Sequence, residues 1–399
     1  MSFSSGTTEG QHRINNREVI NLTRSRKAVL LSIDDATLKE RYMQKLLSLL
    51  KNKGVKTVLL SSVPESYSST LQQLNIQPRE ALVITNAPKS LLTAQIAGLS
   101  AIGLSTAPLS AEFVSPDTYS LYNVLNWELN SHHLSENEQH EPLQKITTLI
   151  LAAGKGTRLG LEKPKVLTPF AGRTALEIMY NKVKPFSERI IVVPSAEDEK
   201  EILEHLEETR LSAEVVIDSL PYGTGGSAAA ALGKLQDDET VAIVWGAQIA
   251  LPQQALKNLI SLHQKHDTDL SISTRMRKNP YIHLERDEQG IIQKILRQRW
   301  GDVMPSYGEN ETGFFVFKGR TLRHALSTIN RSYLQKRADA PPGAKAAEEF
   351  DLLEVIPTLA TSNHRVLTAS CILDEGKLGF KTQEDIAYHE EKIRKGAVY

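Results

Sequence analysis

The sequence predicts an α/β protein with two doubly wound domains. Short runs of aliphatic and β-branched residues alternate with segments of helical period, and these runs are apolar throughout. Continuously apolar strands indicate parallel sheets covered by helices on both faces. A polar stretch at 131–145 separates two such halves, and a length of 399 residues is enough for two or three domains with their own cores.

The N-terminal half is predicted to be a Rossmann-like domain over residues 26–130. Strands are expected at 27–33, 56–62 and 81–85, and four leucines between positions 46 and 50 predict a helix over about 37–53. Residues 1–25 are polar, and we expect them to be extended or disordered.

The stretch SHHLSENEQHEPLQK, residues 131–145, is predicted to be a linker because it has almost no apolar residue to bury. His132, His133 and His140 are candidate metal ligands, but no cysteine or second cluster stands at ligand spacing. A solvated linker is the better interpretation.

Residues 146–399 are predicted to form the second domain. Its strands are expected at 147–153, 189–194, 213–218 and 240–246, separated by helical patterns such as the one at 196–208.

Composition excludes some classes of protein. The chain has 47 Lys and Arg against 47 Asp and Glu, which argues against a nucleic-acid binder that works by neutralising phosphates. The single cysteine, Cys371, fits a reducing compartment. No segment has the apolar pattern of a signal peptide or a membrane span, so we expect a cytoplasmic protein without nucleic-acid or membrane partners. The sequence does not indicate the oligomeric state.

The most informative segment is LAAGKGTRLGLEKPKVL, residues 151–167, which directly follows an apolar strand. Gly154 and Gly156 allow a ligand to approach the backbone, and three cations surround the same turn. Backbone amides with Arg and Lys side chains suit a polyphosphate. Neither the P-loop pattern nor the dinucleotide fingerprint fits, and the alternative is a basic surface loop.

The whole segment closely resembles the LAAGxGTRhxxxxPKxL pattern of the sugar-1-phosphate nucleotidyltransferases, above all the N-acetylglucosamine-1-phosphate uridylyltransferase domain. The resemblance continues in the turn YGTGGS from Tyr222, in ENETG from Glu309, in EFD from Glu349 and in LGFKTQEDI from Leu378. It implies a nucleotide-diphospho-sugar transferase fold of GT-A type for the second domain.

The resemblance implies that a phosphorylated sugar or other alcohol attacks the α-phosphate of an NTP and releases pyrophosphate. Arg158 would hold the β- and γ-phosphates, and Lys165 would contact the α-phosphate; these two are the implied catalytic residues. The implied nucleotide-binding residues are Leu151, Ala152, Ala153, Gly154, Lys155, Gly156, Thr157, Asp218, Gly223, Thr224 and Gly225.

The implied Mg²⁺ site departs from the family pattern. Where relatives have the metal-binding aspartate of hhhxGDxPL, this chain has Ala247, whose methyl group cannot ligate a cation. Glu311 stands at the second ligand position, and Gln248 is a further candidate ligand. Either Glu311 compensates for the lost carboxylate, or catalysis is lost and the chain is a nucleotide-binding pseudoenzyme with a regulatory or scaffolding role.

Two substitutions bear on substrate choice. Asp218 replaces a glutamine that reads uracil in the family; a carboxylate only accepts hydrogen bonds and would favour the cytosine or guanine edge, unless it is a strand-end cap that faces water. On the acceptor side, Tyr281 and Glu349 are the implied contacts. The basic residues around them suit an acidic acceptor or a solvated charged face.

The N-terminal half more faintly resembles a haloacid dehalogenase-like domain. The string IDDATL from Ile33 aligns with DxDGTL, so that Ile33 replaces the nucleophilic aspartate, and Asn86 and Ser90 replace acidic metal ligands. The resemblance therefore implies an inactive phosphatase-like domain. Sliding the alignment by one residue would make Asp34 the nucleophile, and a generic Rossmann-like docking module is the other alternative.

Overall fold

The structure is a computed structural model. It describes residues 26–60, 67–104, 113–133, 146–154, 156, 159–160, 163–219, 223–338, 350–370 and 376–397. The chain divides into two compact units, Met1–Leu129 and Asn130–Tyr399.

The N-terminal unit is built on a parallel sheet that has five strands within the described residues, in the order β2-β1-β3-β4-β5. The strands are Ala28–Ser32 (β1), Lys56–Leu59 (β2), Ala81–Thr85 (β3), Ser100–Leu104 (β4) and Phe113–Ser115 (β5). Strands β1 and β3 are buried along their whole length, which explains why their sequences are continuously apolar.

Five helices accompany this sheet in the part of the unit that the structure describes: Asp35–Lys39 (α1), Arg41–Asn52 (α2), Ser68–Leu74 (α3), Pro88–Ile96 (α4) and Thr118–Asn130 (α5). The helix predicted over 37–53 is therefore two helices. Glu40 between them has φ −61° and ψ 141°, an extended conformation that interrupts the helix.

The C-terminal unit contains an eight-stranded sheet, counted over the described residues, in the order β11-β10-β7-β12-β16-β13-β17-β6. Its strands are His132–His133 (β6), Ile146–Leu151 (β7), Ser187–Val193 (β10), Glu214–Val215 (β11), Thr240–Trp245 (β12), Leu270–Lys278 (β13), Tyr307–Lys318 (β16) and Val366–Ser370 (β17). Two small antiparallel ribbons pair Pro169–Phe170 (β8) with Arg173–Thr174 (β9), and Ile282–Arg286 (β14) with Ile292–Arg297 (β15).

Helices of this unit lie at Ala175–Val183 (α6), Glu199–Glu208 (α7), Thr224–Ala230 (α8), Gln253–His266 (α9), Gly319–Ala338 (α10), Val355–Ala360 (α11) and Gln383–Arg394 (α12). Over the residues that the structure describes, no helix of either unit combines the length and apolarity required to cross a membrane.

Both faces of the C-terminal sheet are covered. Neighbouring residues of β12 and β16 point to opposite faces, so Val244 and Phe314 join one apolar cluster with α6 and α9, whereas Ile243 and Phe315 join another with α8, α10 and α11. The two clusters confirm the α/β class predicted for this half.

The sheet is mixed rather than parallel, contrary to the sequence-based expectation. Strand β16 runs antiparallel to both β12 and β13, while β7, β10 and β12 are parallel. Strand β16 lies in the middle of the sheet and is buried along nearly its whole length, so its apolar part, residues 314–317, has the same pattern as a buried parallel strand.

The beginning of the predicted linker also differs from expectation. His132 and His133 form β6, which pairs with Ala369 and Ser370 at the sheet edge, and the hydroxyl of Ser131 lies 2.7 Å from that of Thr368. These three residues therefore belong to the C-terminal unit. Main-chain pairing holds His132 and His133 there, and the polar character of their side chains did not indicate it. Residues 134–145, including His140, lie outside the described residues.

A buried lysine fixes the loop after β12. The ammonium of Lys182 in α6 donates hydrogen bonds to the carbonyl oxygens of Ile249 (2.5 Å) and Leu251 (2.7 Å). Burial, with a smaller contribution from the charge of Arg173, lowers the pKa of Lys182 to about 8. This contact ties the loop that carries Ala247 and Gln248 to the helix beneath it.

We expect the stability of the protein to depend on the ionisation of Lys182. Its pKa in the folded state lies below that in the unfolded state, so the unfolded state binds more protons between about pH 8 and 10.5 and stability rises with pH there, by at most about 1.4 kcal/mol per unit. Urea unfolding across this range should show a shallower rise for Lys182→Met than for the wild type. Lys184→Met, a change at an exposed neighbour, should keep the wild-type slope; equal slopes in all three proteins would contradict the prediction.

Candidate functional site

The candidate site lies at the carboxyl ends of β7 and β12. These strands are parallel neighbours with Leu151 opposite Trp245, and the amide of Gly246 donates to the carbonyl of Leu151 (3.0 Å). In open α/β sheets, ligands bind at this edge. The glycine-rich segment and the Ala247 loop therefore begin side by side.

The glycine-rich segment leaves the core gradually. Leu151 and Ala152 are buried, Ala153 is partly buried, Gly154 is exposed and Gly156 is partly buried with φ +59°. Of the predicted phosphate contacts here, Lys155, Thr157 and Arg158 lie outside the described residues, as does the acceptor candidate Glu349.

Lys165 lies at the C-terminal end of the glycine-rich segment. It begins a short 3₁₀ turn, Lys165–Leu167, and its Nζ lies 5.0 Å from the ring centroid of Phe380. The side chain is partly buried, so its cation is presented by a fixed stem.

The turn at Gly223–Gly225 starts α8 and is locked to a distant segment. The hydroxyl of Thr224 donates to Oδ1 of Asp351 (2.9 Å) and accepts from the amide of Leu352 (2.9 Å). The amide of Gly225 donates to the carbonyl of Phe350 (2.9 Å). The predicted nucleotide turn therefore depends on residues about 125 positions later for its conformation.

Asp351 is the centre of this network, and the sequence did not identify it as a site residue. Its Oδ2 lies 3.4 Å from Nε of Arg297 and 3.6 Å from a guanidinium nitrogen of Arg299, at the end of β15. Arg297 is buried and also pairs with Glu354 at 2.6 Å. One carboxylate thus connects the turn at Gly223 to the basic residues at the end of β15.

Asp218 is buried, with 2% of its surface exposed, so the alternative of a strand-end cap facing water is wrong. Its Oδ2 accepts a hydrogen bond from the hydroxyl of Ser227 in α8 (2.7 Å), and its amide donates to the carbonyl of Pro194 (2.9 Å). The carboxylate therefore lies against the helix that follows the nucleotide turn.

Glu311 lies where β16 extends past the end of β12. Gly313 has φ +79°, at an irregularity in the β13–β16 register, and its amide donates to Oε2 of Glu311 (2.6 Å). Glu311 is 2% exposed, and burial raises its pKa to about 7 despite that hydrogen bond and the nearby charges of Lys381 and Arg275. Its Oε1 is buried with no hydrogen-bond partner among the described residues.

Ala247 and Gln248 are covered by the C-terminal segment. A Cβ on Gly379 would lie 2.5 Å from the carbonyl oxygen of Ala247 and 2.7 Å from Oε1 of Gln248, so only glycine permits this approach. The methyl of Ala247 packs against an apolar cluster that contains Phe380. Position 247 therefore contributes an apolar contact where the family has a ligand.

The oxygen donors present, one carboxylate and one amide, fall short of a complete protein cage for Mg²⁺. Oε1 of Glu311 and Oε1 of Gln248 are both buried and have no hydrogen-bond partner among the described residues, and Oε1 of Gln248 also lies close to Gly379. Within the described ranges, no group of three or more His, Cys, Asp or Glu side chains could hold a metal. A single carboxylate suits Mg²⁺ that arrives bound to substrate phosphates.

Tyr281 lies close to two cations. Nζ of Lys381 lies 4.1 Å from its ring centroid and the guanidinium carbon of Arg277 lies 5.3 Å from it. Burial, followed by the charge of Glu311, raises the pKa of Tyr281 to about 12, so its hydroxyl stays protonated. The sequence missed Lys381, and its position after Gly379 in LGFK was the only signal for it.

In the N-terminal unit, Asp34 and Asn86 meet at the carboxyl ends of β1 and β3. Asp34 accepts hydrogen bonds from the amide of Thr37 (2.7 Å) and from Nδ2 of Asn86 (2.6 Å), and these bonds lower its pKa. The hydroxyls of Ser32 and Ser90 lie 2.6 Å apart. Asp34 is thus engaged as a helix cap, and the dehalogenase-like resemblance stays a prediction.

Comparison with known proteins identifies relatives of the C-terminal part. Residues 148–310 match the family model of the MobA-like NTP transferase domain. The chain is 26% identical over 257 residues to the bifunctional protein GlmU of Buchnera aphidicola subsp. Schizaphis graminum, covering 64% of this chain and 52% of that protein. It is 34% identical over 224 residues to GlmU of Streptococcus suis, covering 51% and 47%.

The chain spans about half the length of these relatives. Among solved structures, the inositol-1-phosphate CTP transferase from T. maritima matches with a TM-score of 0.46 and 17% identity, over 65% of this chain and 100% of that one. The family match confirms the resemblance predicted for the C-terminal part.

The buried carboxyl of Glu311 predicts a pH-dependent cost in stability. Its pKa is raised in the folded state, so stability is fully present below about pH 4.5 and is lost as pH rises through about 7. In a metal-chelating buffer, Glu311→Gln should therefore be more stable than the wild type at pH 8, by up to about 3 kcal/mol, and equal to it near pH 4.5. Glu204→Gln, an exposed change in α7, should match the wild type at both values. A less stable Glu311→Gln protein at pH 8 would refute the assignment.

We expect Asp351→Asn to lower the free energy of unfolding by about 1–3 kcal/mol, because it leaves buried Arg297 with one carboxylate instead of two. NTP affinity should fall as well, since Thr224 loses a charged acceptor. Urea unfolding and NTP titration measure the two effects. Glu391→Gln, which affects only an exposed pair with Lys395, is the control; an Asp351→Asn protein as stable as this control would contradict the prediction.

Proposed function

We propose that the protein joins an NTP to a phosphorylated sugar or other phosphorylated alcohol, because residues 148–310 match the MobA-like NTP transferase domain. Pyrophosphate would be released and a nucleotide sugar or similar product formed. The observation that carries this proposal is the meeting of the 151–167 segment with the Ala247 loop at the carboxyl ends of β7 and β12.

The geometry at this edge supports phosphate binding. The glycine-rich segment becomes accessible at Gly154, and Lys165 returns toward it from the 3₁₀ turn. Helix α8, which follows the turn at Gly223, contacts β7 and β10. A polyphosphate lying over this edge would meet glycine backbone on one side and cations on the other, as such anions require.

The proposed reaction requires charge control more than proton transfer. An oxygen of the acceptor phosphate forms a bond to the α-phosphorus, the bond from that phosphorus to the bridging oxygen breaks, and pyrophosphate leaves with the electron pair. The attacking oxygen is already anionic, so no general base is needed. Lys165 would stabilise the charge that builds on the α-phosphate, and Arg158 the charge on the leaving pyrophosphate.

We propose that Glu311 is the protein ligand for a Mg²⁺ ion that enters with the NTP. When bound, this ion would neutralise phosphate charge. The support is the unpaired, buried Oε1 of Glu311. Gln248 stays the other candidate ligand, because its amide oxygen is also buried without a hydrogen-bond partner among the described residues.

Asp218 supports a preference for a base that offers N–H donors. A buried carboxylate beside α8 accepts hydrogen bonds only, so we propose that CTP or GTP is used better than UTP. For the acceptor, Tyr281 and Glu349 remain the proposed contacts. We further propose a cytoplasmic location, without nucleic-acid or membrane partners, from the balanced charge and the single cysteine.

A second candidate function is a nucleotide-binding pseudoenzyme. The observation that favours it is the packing of the Ala247 methyl against an apolar cluster, because a methyl group offers no oxygen to a cation. Nucleotide binding would persist in this case, because it does not require residue 247. The two functions differ in pyrophosphate release.

The test is to incubate the protein with each NTP, Mg²⁺ and a panel of sugar and alcohol phosphates, and to follow pyrophosphate. We expect release with at least one pair, best with CTP or GTP. Lys165→Ala should lower kcat by about 10²–10³-fold, because it removes a cation at the reacting phosphate.

Lys163→Ala is the matched control, since this exposed lysine lies two residues earlier in the same loop and should leave the rate unchanged. If the protein binds an NTP but releases pyrophosphate with no pair of NTP and acceptor, the proposed enzymatic function is wrong and the pseudoenzyme is supported. Failure to bind any NTP would refute both.

A further inference from the structure

The C-terminal segment 376–382 carries a lysine into the candidate site, and its backbone is held on both sides. The carbonyl of Leu378 accepts from the amide of Ala250 (2.8 Å), and Gly379 packs directly against Ala247. On the other side, Oδ2 of Asp385 accepts from the amide of Lys381 (2.7 Å). These contacts therefore fix the position of the Lys381 backbone relative to the end of β12.

The ammonium of Lys381 is directed at the acceptor side of the site. It lies over the ring of Tyr281, where the guanidinium of Arg277 also lies. Arg275, two residues before Arg277, is buried and donates to the carbonyl of Gly376 in the same segment (2.9 Å). Positive charge therefore collects around Tyr281, beside the carboxylate of Glu311.

The cations around Tyr281 supply positive charge at a site where the Ala247 loop provides no carboxylate to bind a metal ion. A phosphate dianion requires cations or donors, and within the described residues no group of three or more His, Cys, Asp or Glu side chains could hold a metal ion that would supply the charge. An ammonium presents three donors, and a guanidinium matches the oxygens of a phosphate. Two such cations can therefore hold a phosphate group without a metal between protein and ligand.

We propose that Lys381 and Arg277 bind the phosphate group of the acceptor directly, over the ring of Tyr281, without a bridging metal ion. The inference rests on the proposed function and adds to it a residue that contacts the acceptor. In the proposed reaction, the ammonium of Lys381 orients the attacking phosphate oxygen and carries no proton to or from it.

The test compares Lys381→Met with Lys381→Arg, using the acceptor and NTP found by pyrophosphate release. Lys381→Met should raise the acceptor KM by about 10- to 100-fold, the value of a charge-assisted hydrogen bond, and should leave the NTP KM within about twofold. Lys381→Arg should restore most of the acceptor affinity. A merely structural role would change both KM values together.

Lys392→Met is the matched control, because Lys392 is also an exposed lysine over a tyrosine ring, 5.7 Å from the centroid of Tyr388. It should leave both KM values unchanged. An acceptor KM that is the same in Lys381→Met and in this control would overturn the inference while leaving the proposed function intact.

A second measurement does not require turnover. Line broadening of the ³¹P signal of inorganic phosphate, recorded with EDTA, should show binding to the wild type and to Lys392→Met, and weaker binding to Lys381→Met. Phosphate binding that requires Mg²⁺, or that is equal in all three proteins, would overturn the inference. If the wild type releases no pyrophosphate, the proposed enzymatic function fails, and this measurement still decides the role of Lys381.

Discussion

The buried carboxyl of Glu311 constrains the whole candidate site. A carboxylate with almost no exposed surface must be paired, protonated or bound to a cation, because the loss of its hydration is too costly otherwise. The amide of Gly313 donates one hydrogen bond to this carboxylate and the charges of Lys381 and Arg275 lie nearby, but burial still raises its pKa to about 7. Further positive charge at this point would stabilise the ionised carboxylate.

The cations around Glu311 come from parts of the chain that are far apart in sequence. Arg275 belongs to β13, while Lys381 is brought in by the C-terminal segment that packs on the Ala247 loop. The other side of the site is organised by Asp351, which links Thr224 in the nucleotide turn to Arg297 at the end of β15. The turn at Gly223 and the end of β15 thus share a contact residue, so a substitution at one is expected to alter the conformation of the other.

The packing around Ala247 shows what this residue does at the position where the resemblance implies an aspartate. Ala247 is not an empty ligand position, because its methyl contacts an apolar cluster and its carbonyl is covered by Gly379. The sequence left two alternatives open: either other residues compensate for the carboxylate that is absent at position 247, or catalysis is lost. Compensation would come from Glu311 and Lys381, and the intact 151–167 segment explains why nucleotide binding is expected in both cases.

By itself, the sequence determined the α/β class, the strands near 28–32, 81–85, 146–151 and 240–245, and the relation of the C-terminal part to nucleotidyltransferases. These features are local: apolar runs and a long contiguous motif can be recognised without knowing what they pack against. Tertiary structure alone decided the antiparallel placement of β16, the burial of Asp218, and the meeting of Asp351 with Thr224 and of Lys381 with Tyr281. Each of these depends on pairing between segments separated by tens of residues or more, and a residue's local neighbours carry no information about such pairing.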